Sequence, residues 1–351
     1  MGEALDLALL LARKATTEFF LDDGSYDAER FGGHTHSTTC VMSSLAQLAD
    51  LTNDSVLLER VRKFYDNGLW EIRDEIGWVV EVGGPQSEVD CLRGETNNSG
   101  DILETALILG ARGHAQYFAD AERIIRAHLL PSQLRDVSFI RSAAPPADGS
   151  PAPDGEIDAA ERLQGSWGFP AQHGHIPERL WQGAKPRIGF NPDIVGGTTA
   201  SLVAAVEALS SFDASRHSVN LWFDHETEHL CLRSPYTHPS LQVKLKTEGA
   251  LFVRMPPWLP EQQLRVEAGV LPSVYNPASK SLHGIGAPRR LGDWLVLPCP
   301  PTDEWITILF ELPVFEQELT WRGRSVRSRF RGDEVIAMEN FNEKLAFFPP
   351  L

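Results

Sequence analysis

Close to Ser211 the spacing of apolar residues changes from a helical period to a period of two, and this switch constrains the fold more than any motif does. Before it, Leu5, Ala8, Leu9, Ala12 and Phe19 share one helical face, and Val41, Leu45 and Leu48 make a second stripe in a helix from about Thr38. Leu57, Leu58, Val61, Phe64 and Tyr65 make a third, with Asp54 as its N-cap. Ile102, Leu103, Ala106 and Leu107 continue the series, as do Phe118, Ala121, Ile124, Ile125 and Leu129. A last helix from near Thr198 carries Leu202, Val203, Val206 and Leu209. After the switch, Leu241, Val243 and Leu245 alternate, then Leu264, Val266 and Ala268, then Ile306, Ile308 and Phe310. With SVNLWFD, ALFVRMP and DWLVLP they read as roughly eight or more short strands, the pattern of an antiparallel β-sandwich. The expectation is an α+β chain in two domains. Residues 1–214 would be helical, with an irregular region near 135–197, and residues 215–351 a sandwich.

Helix pairs joined end to end predict an (α/α) toroid of hairpins. This half holds too few helices to close one, so the toroid is expected to be incomplete, completed by a second copy of the chain or by a preceding segment.

With 351 residues and 42% hydrophobic content there is ample material for a large core. The net charge of -16 argues against nucleic-acid phosphates and fits a neutral ligand. The basic run Arg322 to Asp333 reads as the solvated face of late strands. No stretch approaches the about 18 consecutive apolar residues of a membrane helix, so no membrane partner is expected. MGEALDLALLLARK carries its first basic residue after the apolar stretch, the reverse of a signal peptide. Cys40, Cys91, Cys231 and Cys299 show no CxxC spacing, and a cytoplasmic protein with reduced thiols is expected.

The chemistry is expected between Trp78 and Gln133, where an acidic and amide-rich segment precedes two amphipathic helices. Ser99 or Asn98 would cap the first helix and Asp101 would fall in its first turn, where exposed backbone amides favour a carboxylate. Glu95, Asn97, Asn98 and Asp101 then gather at one helix end, as a sugar-binding and acid/base site or as a polar cap. Sugar hydrolysis needs a protonated acid and a second carboxylate about 5 Å away for retention, or about 6.5–9.5 Å for inversion. Glu81 ends an apolar WVV strand whose burial would favour a general acid, with Asp101 or Glu95 opposite; otherwise it is a turn acceptor or ion-pair member.

His34 and His36 flank Thr35, and in an extended segment they would point the same way, toward sugar hydroxyls or a metal, or simply pack and cap. His173 and His175 repeat the spacing in GSWGFPAQHGHIPERLW, where Trp167, Phe169 and Trp181 could stack on a sugar ring or seal a core. Ser142 to Glu156, rich in Pro, Gly and Ala, reads as a long loop or flap. The chain has no GxSxG, no Walker loop and no GxGxxG after a strand, which argues against acyl transfer, nucleotide hydrolysis and dinucleotide use. A uronate lyase would want a basic cleft, which the acidic composition disfavours.

GHTHSTT, GWVVE, RGETNNSGDILETALIL, YFADAERIIRAHLLPSQL, DIVGGTTASLVAAVEAL, SVNLWF and LFVRMPPW, in this order, resemble the β-L-arabinofuranosidase-like enzymes of glycoside hydrolase family 127 and their relatives. The resemblance runs on to GDWLVLP and RGDEVIAM, and it implies an (α/α)6 toroid paired with β-sandwich domains. It also implies a zinc held by a Glu and three thiolates, from a Glu-Thr-Cys motif and a Cys-Cys pair, one thiolate of that pair being the nucleophile. Here Glu95-Thr96 is followed by Asn97, and Gly196-Gly197 stand where the Cys-Cys pair should be. Thiolates supply most of such a site's affinity, and Cys91 reads better as a small buried hydrophobe than as a replacement ligand. The expectation is thus no metal and no cofactor. The function expected is that of a metal-independent glycoside hydrolase acting on a plant or bacterial glycan or, as the alternative, that of a catalytically inactive relative that binds carbohydrate or supports a partner.

Overall fold

The computed structural model describes residues 2–83, 94–138, 159–167, 196–268, 288–321, 324–339 and 348–351. Its helices are α1 (Gly2–Glu18), α2 (Ala28–Phe31), α3 (Thr35–Thr52), α4 (Ser55–Asp66), α5 (Thr96–Ala111), α6 (Gln116–Ile124), α7 (Ala159–Leu163) and α8 (Gly197–Ala208). A π turn, Ile125–Leu129, continues α6. Asp54 caps α4 as expected, its carboxylate accepting from the amides of Val56 and Leu57 at 3.0 Å. Two other starts differ from the sequence reading. α3 begins at Thr35, so His34 is its N-cap residue and His36 lies in its first turn, not in an extended segment. α5 begins at Thr96 after Glu95, so Ser99 and Asn98 are inside the helix and do not cap it.

α5 is the hub, packing against α3, α6 and α8. It is buried nearly all round, from Thr96 to Gly100 at its start and from Ile102 to Gly110 further on, which is how a central helix differs from a one-striped surface helix. Two glycines let its neighbours approach. A Cβ on Gly100 would stand 2.5 Å from Ser201 Oγ of α8, and one on Gly110 would stand 2.8 Å from the Phe118 ring of α6. Further around, Arg73 is buried between α4 and α6. It makes a two-pronged pair with Asp120 at 2.8 and 3.0 Å, stacks on Trp70 at 4.5 Å, and shares Asp120 with the Tyr65 hydroxyl.

The strands are β1 (Ser210–Asp213), β2 (Arg216–Val219), β3 (His225–Glu226), β4 (Leu230–Arg233), β5 (Leu241–Leu245), β6 (Ala250–Arg254), β7 (Arg265–Ala268), β8 (Arg289–Leu291), β9 (Trp294–Leu297), β10 (Trp305–Leu309), β11 (Val314–Trp321), β12 (Arg324–Arg331) and β13 (Glu334–Met338). They form sheets in the orders β1-β2-β6-β9-β8, β3-β4-β5-β10-β7 and β11-β12-β13. The first two sheets share one core, in which Val219, Leu251, Val253 and Leu295 meet Leu232, Val243, Ile306 and Ile308. The ladders are antiparallel except for β2 with β6, which is parallel and corrects the purely antiparallel expectation. The chain leaves β2 to build β3, β4 and β5 in the other sheet and re-enters beside β2 in the same direction.

The third sheet packs elsewhere. Leu319, Val326, Phe330, Val335 and Met338 join the helical core. Its arginines pair with acids in solvent, Arg329 with Glu316 at 2.7 Å and Arg331 with Glu334 at 2.5 Å, as the solvated-face reading of that run expected.

A buried ionic latch joins helices to strands. Glu122 of α6 accepts from Arg126 at 2.9 Å, from the Trp222 amide at 3.1 Å and from Arg254 of β6. Among the described residues no helix is long and apolar enough to cross a membrane.

Candidate functional site

Glu95, the residue before α5, lies across from the start of α3, and the two helix ends bring the predicted polar residues together. His34 Nε2 stands 3.1 Å from Glu95 Oε1, and His36 Nδ1 stands 3.7 Å from Glu95 Oε2. The other nitrogen of His36, Nε2, stands 3.6 Å from Asp101 Oδ2, which also accepts from the Thr39 hydroxyl at 2.7 Å. One imidazole therefore stands between two carboxylates. The rings of His34 and His36 are nearly perpendicular, at 82° with centroids 6.0 Å apart, so they do not point the same way as i and i+2 in a strand would.

Exposure grades through the cluster. Glu95 is 2% exposed, Asp101 16%, His36 30% and His34 56% by side chain, so solvent reaches the histidines first. Burial pushes the Asp101 carboxyl up to about 7; the Thr39 hydrogen bond opposes this and the charges of Glu104 and Glu95 add to it. Burial likewise pushes His36 down, against the pull of Glu95, with His34 adding to the decrease. Both shifts favour neutral forms.

Neighbouring residues hold the rim. Thr35 Oγ contacts the carbonyls of Val80 and Glu81 and receives the Asn98 amide at 3.0 Å. Ser99 Oγ donates to Gly77 O at 2.5 Å. Trp78, Val79 and Val80 are fully buried, and Glu81 joins the rim through its carbonyl, which accepts from the Thr35 amide at 3.1 Å. Asn97 is buried, and among the described residues neither of its amide atoms has a hydrogen-bond partner.

Trp167 does not serve as a sugar platform. It is 9% exposed, and its indole N–H donates to Leu129 O at 2.7 Å, so it closes the end of the π turn. His173, His175, Phe169, Trp181 and Cys91 lie outside the described residues.

Three residues enter that sequence reasoning missed. Thr39 holds Asp101, Cys40 forms a donor group with His36 and Asp101, and Glu104 ties Ser43 and Gln47 of α3 to Ser201 of α8 at 2.8 to 3.0 Å. The spacing held a clue: Thr39 and Ser43 share one face of α3, as Asp101 and Glu104 share one face of α5.

A β-L-arabinofuranosidase of glycoside hydrolase family 127 from Geobacillus stearothermophilus T6 superposes with a TM-score of 0.57 at 14% identity, over 86% of this chain and 46% of that one. A second family 127 β-arabinofuranosidase superposes at 0.56 and 13% identity, over 88% and 48%. The chain shares its fold with these enzymes. It spans about half the length of each. No protein-family model matches the sequence, and no curated protein matches it.

The Glu-plus-three-thiolate zinc set that the resemblance implies does not fit the described residues at the matching positions. Asn97 offers an amide in the first turn of α5, and Gly196 and Gly197 at the start of α8 have no side chains.

Proposed function

We propose that the chain is a carbohydrate-active protein of the glycoside hydrolase type, with its site at the rim shared by α3 and α5. The observation that carries this reading is the pair of carboxylates, Glu95 and Asp101, set against the two nitrogens of the His36 ring. That places two acids within one imidazole of each other at a solvent-facing edge, the inventory that glycoside hydrolysis draws on. Asp101, the more accessible, is the proton-handling group; Glu95 is the opposing carboxylate, and Glu81 the neighbouring acid. His34, His36, Asn97 and Asn98 supply hydrogen bonds to sugar hydroxyls. The likeness in fold to two arabinofuranosidases supports a glycan with furanose units; its plant or bacterial origin is part of the proposal.

The burial of Glu95 favours one other reading, carbohydrate binding without turnover, because a carboxylate 2% exposed cannot reach a sugar ring unless the histidines move. A panel of aryl glycosides with arabinofuranosides included separates the two. Hydrolysis that falls about 100-fold or more in Asp101→Asn and Glu95→Gln supports the enzyme. Sugar binding with no turnover supports the second reading, and turnover untouched by either change removes the site.

We take the helical unit to end at Leu209 and the strand unit to follow it, in a cytoplasmic setting; the boundary expected at 214 gives way because β1 (Ser210–Asp213) already pairs with β2 in the first sheet. The helical unit is an open arc of a toroid. Leu7, Leu10 and Leu11 of α1 and Val203 and Val206 of α8 are exposed, which supports apolar edges that a second copy or a preceding segment covers.

A further inference from the structure

The expectation of no metal rested on missing thiolates alone. The fold supplies other donors. One nitrogen from His34, one from His36 and one Glu95 oxygen lie within 4.8 Å of one another. Only the 3.1 Å spacing of His34 to Glu95 is a hydrogen bond; the 3.7 Å spacing of His36 to the other oxygen is too long for one. That oxygen, Glu95 Oε2, is buried and has no hydrogen-bond donor among the described residues, although an unsatisfied buried acceptor costs about 1–3 kcal/mol and more when charged. A cation would satisfy it.

The spacings also suit one. Around a tetrahedral ion with bonds of about 2.0–2.2 Å, donors stand about 3.3–3.6 Å apart, and the 3.7 Å from His36 Nδ1 to Glu95 Oε2 is close to that, while the 3.1 Å contact of His34 is to the other carboxylate oxygen, Oε1. Imidazole nitrogen and carboxylate oxygen together suit zinc-class ions. A carboxylate also stands behind His36. Its second nitrogen faces the Thr39-held Asp101 at 3.6 Å, an electrostatic contact longer than a hydrogen bond, on the side where a metal-bound histidine is commonly supported. His34, more than half exposed, leaves the remaining coordination position toward solvent.

We propose that His34, His36 and Glu95 bind one divalent ion of the zinc class, with Asp101 and Thr39 orienting His36 and the fourth position open to water or a ligand. This donor set shares only Glu95 with the thiolate set. The ion site occupies the rim assigned to carbohydrate above, but it rests on donor geometry and not on that assignment.

Full-length protein stripped with a chelator is titrated with Zn²⁺ by calorimetry and with Co²⁺ by visible absorption. The expected result is one ion per chain, with the intense Co²⁺ bands of a tetrahedral site. His34→Ala, on an exposed side chain and so harmless to folding, weakens binding about tenfold or more, and Asp101→Asn weakens it about 10–100-fold. No saturable binding, or His34→Ala binding as tightly as the wild type, overturns the proposal. Binding lost in Cys40→Ser but kept in His34→Ala also overturns it, moving the ion to the overlapping His36, Cys40 and Asp101 group. One ion bound as described by a chain that neither binds nor cleaves any glycoside refutes the carbohydrate reading and leaves this one standing.

Discussion

His36 Nε2 lies 3.6 Å from Asp101 Oδ2, so a residue in the first turn of α3 faces one in the first turns of α5. The contact depends on α5 being the central helix, which leaves the Asp101 carboxylate largely buried beside the first turn of α3. Function and core packing thus compete at Asp101.

That competition has a sign. Burial raises the Asp101 carboxyl from 3.8 to about 7. The folded state therefore keeps a proton that the unfolded chain loses, and stability falls as pH rises from about 4 to about 7, then levels off. The full penalty is up to about 4 kcal/mol. Asp101→Asn, which keeps an oxygen for Thr39, should raise the thermal midpoint at pH 8 with a chelator present and leave it unchanged near pH 4. Melting followed by circular dichroism at both pH values checks this.

Asp120 works in the opposite direction. Burial pushes its carboxyl up, but the Arg73 charge and hydrogen bonds, with Tyr65, bring it below 3.8. Its stabilisation is present above about pH 4 and is lost as pH falls through the lowered value. Asp120→Asn leaves the buried Arg73 guanidinium uncompensated and should cost about 3–5 kcal/mol at pH 7, with a smaller difference from the wild type in acid. Urea melts at pH 7 and pH 3 measure it.

The latch at Glu122 makes a related prediction. Arg254 is 1% exposed and Glu122 accepts from it, from Arg126 and from the Trp222 amide. Glu122→Gln should cost about 3–5 kcal/mol by stranding a buried cation, read as a lower urea midpoint.

Gly110 tests the packing of the hub. A Cβ there would meet the Phe118 ring at 2.8 Å, and that overpacking, about 1–3 kcal/mol, exceeds the gain in helix propensity of about 0.5–1 kcal/mol. Gly110→Ala should therefore lower the melting midpoint, while Gly113→Ala, with open space but a φ of +104°, should lower it through backbone strain alone.

What was legible in the sequence was local. The Asp54 cap, the apolar stripes of α4 to α6 and the alternation of β5 and β10 follow from neighbours a few residues apart; in α3, Leu45 and Leu48 are buried but Val41, assigned to the same stripe, is 39% exposed. The importance of Glu95, Asp101, His34 and His36 was also legible, but not their arrangement. His34 and Glu95 are 61 residues apart, and only the packing of α3 on α5 brings them together. The extended-segment argument for the histidines failed because α3 starts earlier than its apolar stripe does: Thr35, Thr38 and Thr39 are buried polar residues that a hydrophobic period cannot register. The parallel pairing of β2 with β6 was invisible because alternation fixes which face a residue takes and not the direction of a strand. Trp167 was misassigned because an aromatic ring suits a sugar floor and a core lid equally well until its indole finds the Leu129 carbonyl.

The central claim is that the rim of α3 and α5 receives a sugar, and a difference map from crystals soaked in arabinose tests it most directly. The account predicts density for the sugar against His34 and His36 with a hydroxyl toward Asp101. A sugar seated instead only in the cleft of about 600 Å³ between Gln263, Arg265 and Glu311 on the strand half, with the rim unchanged, would contradict it.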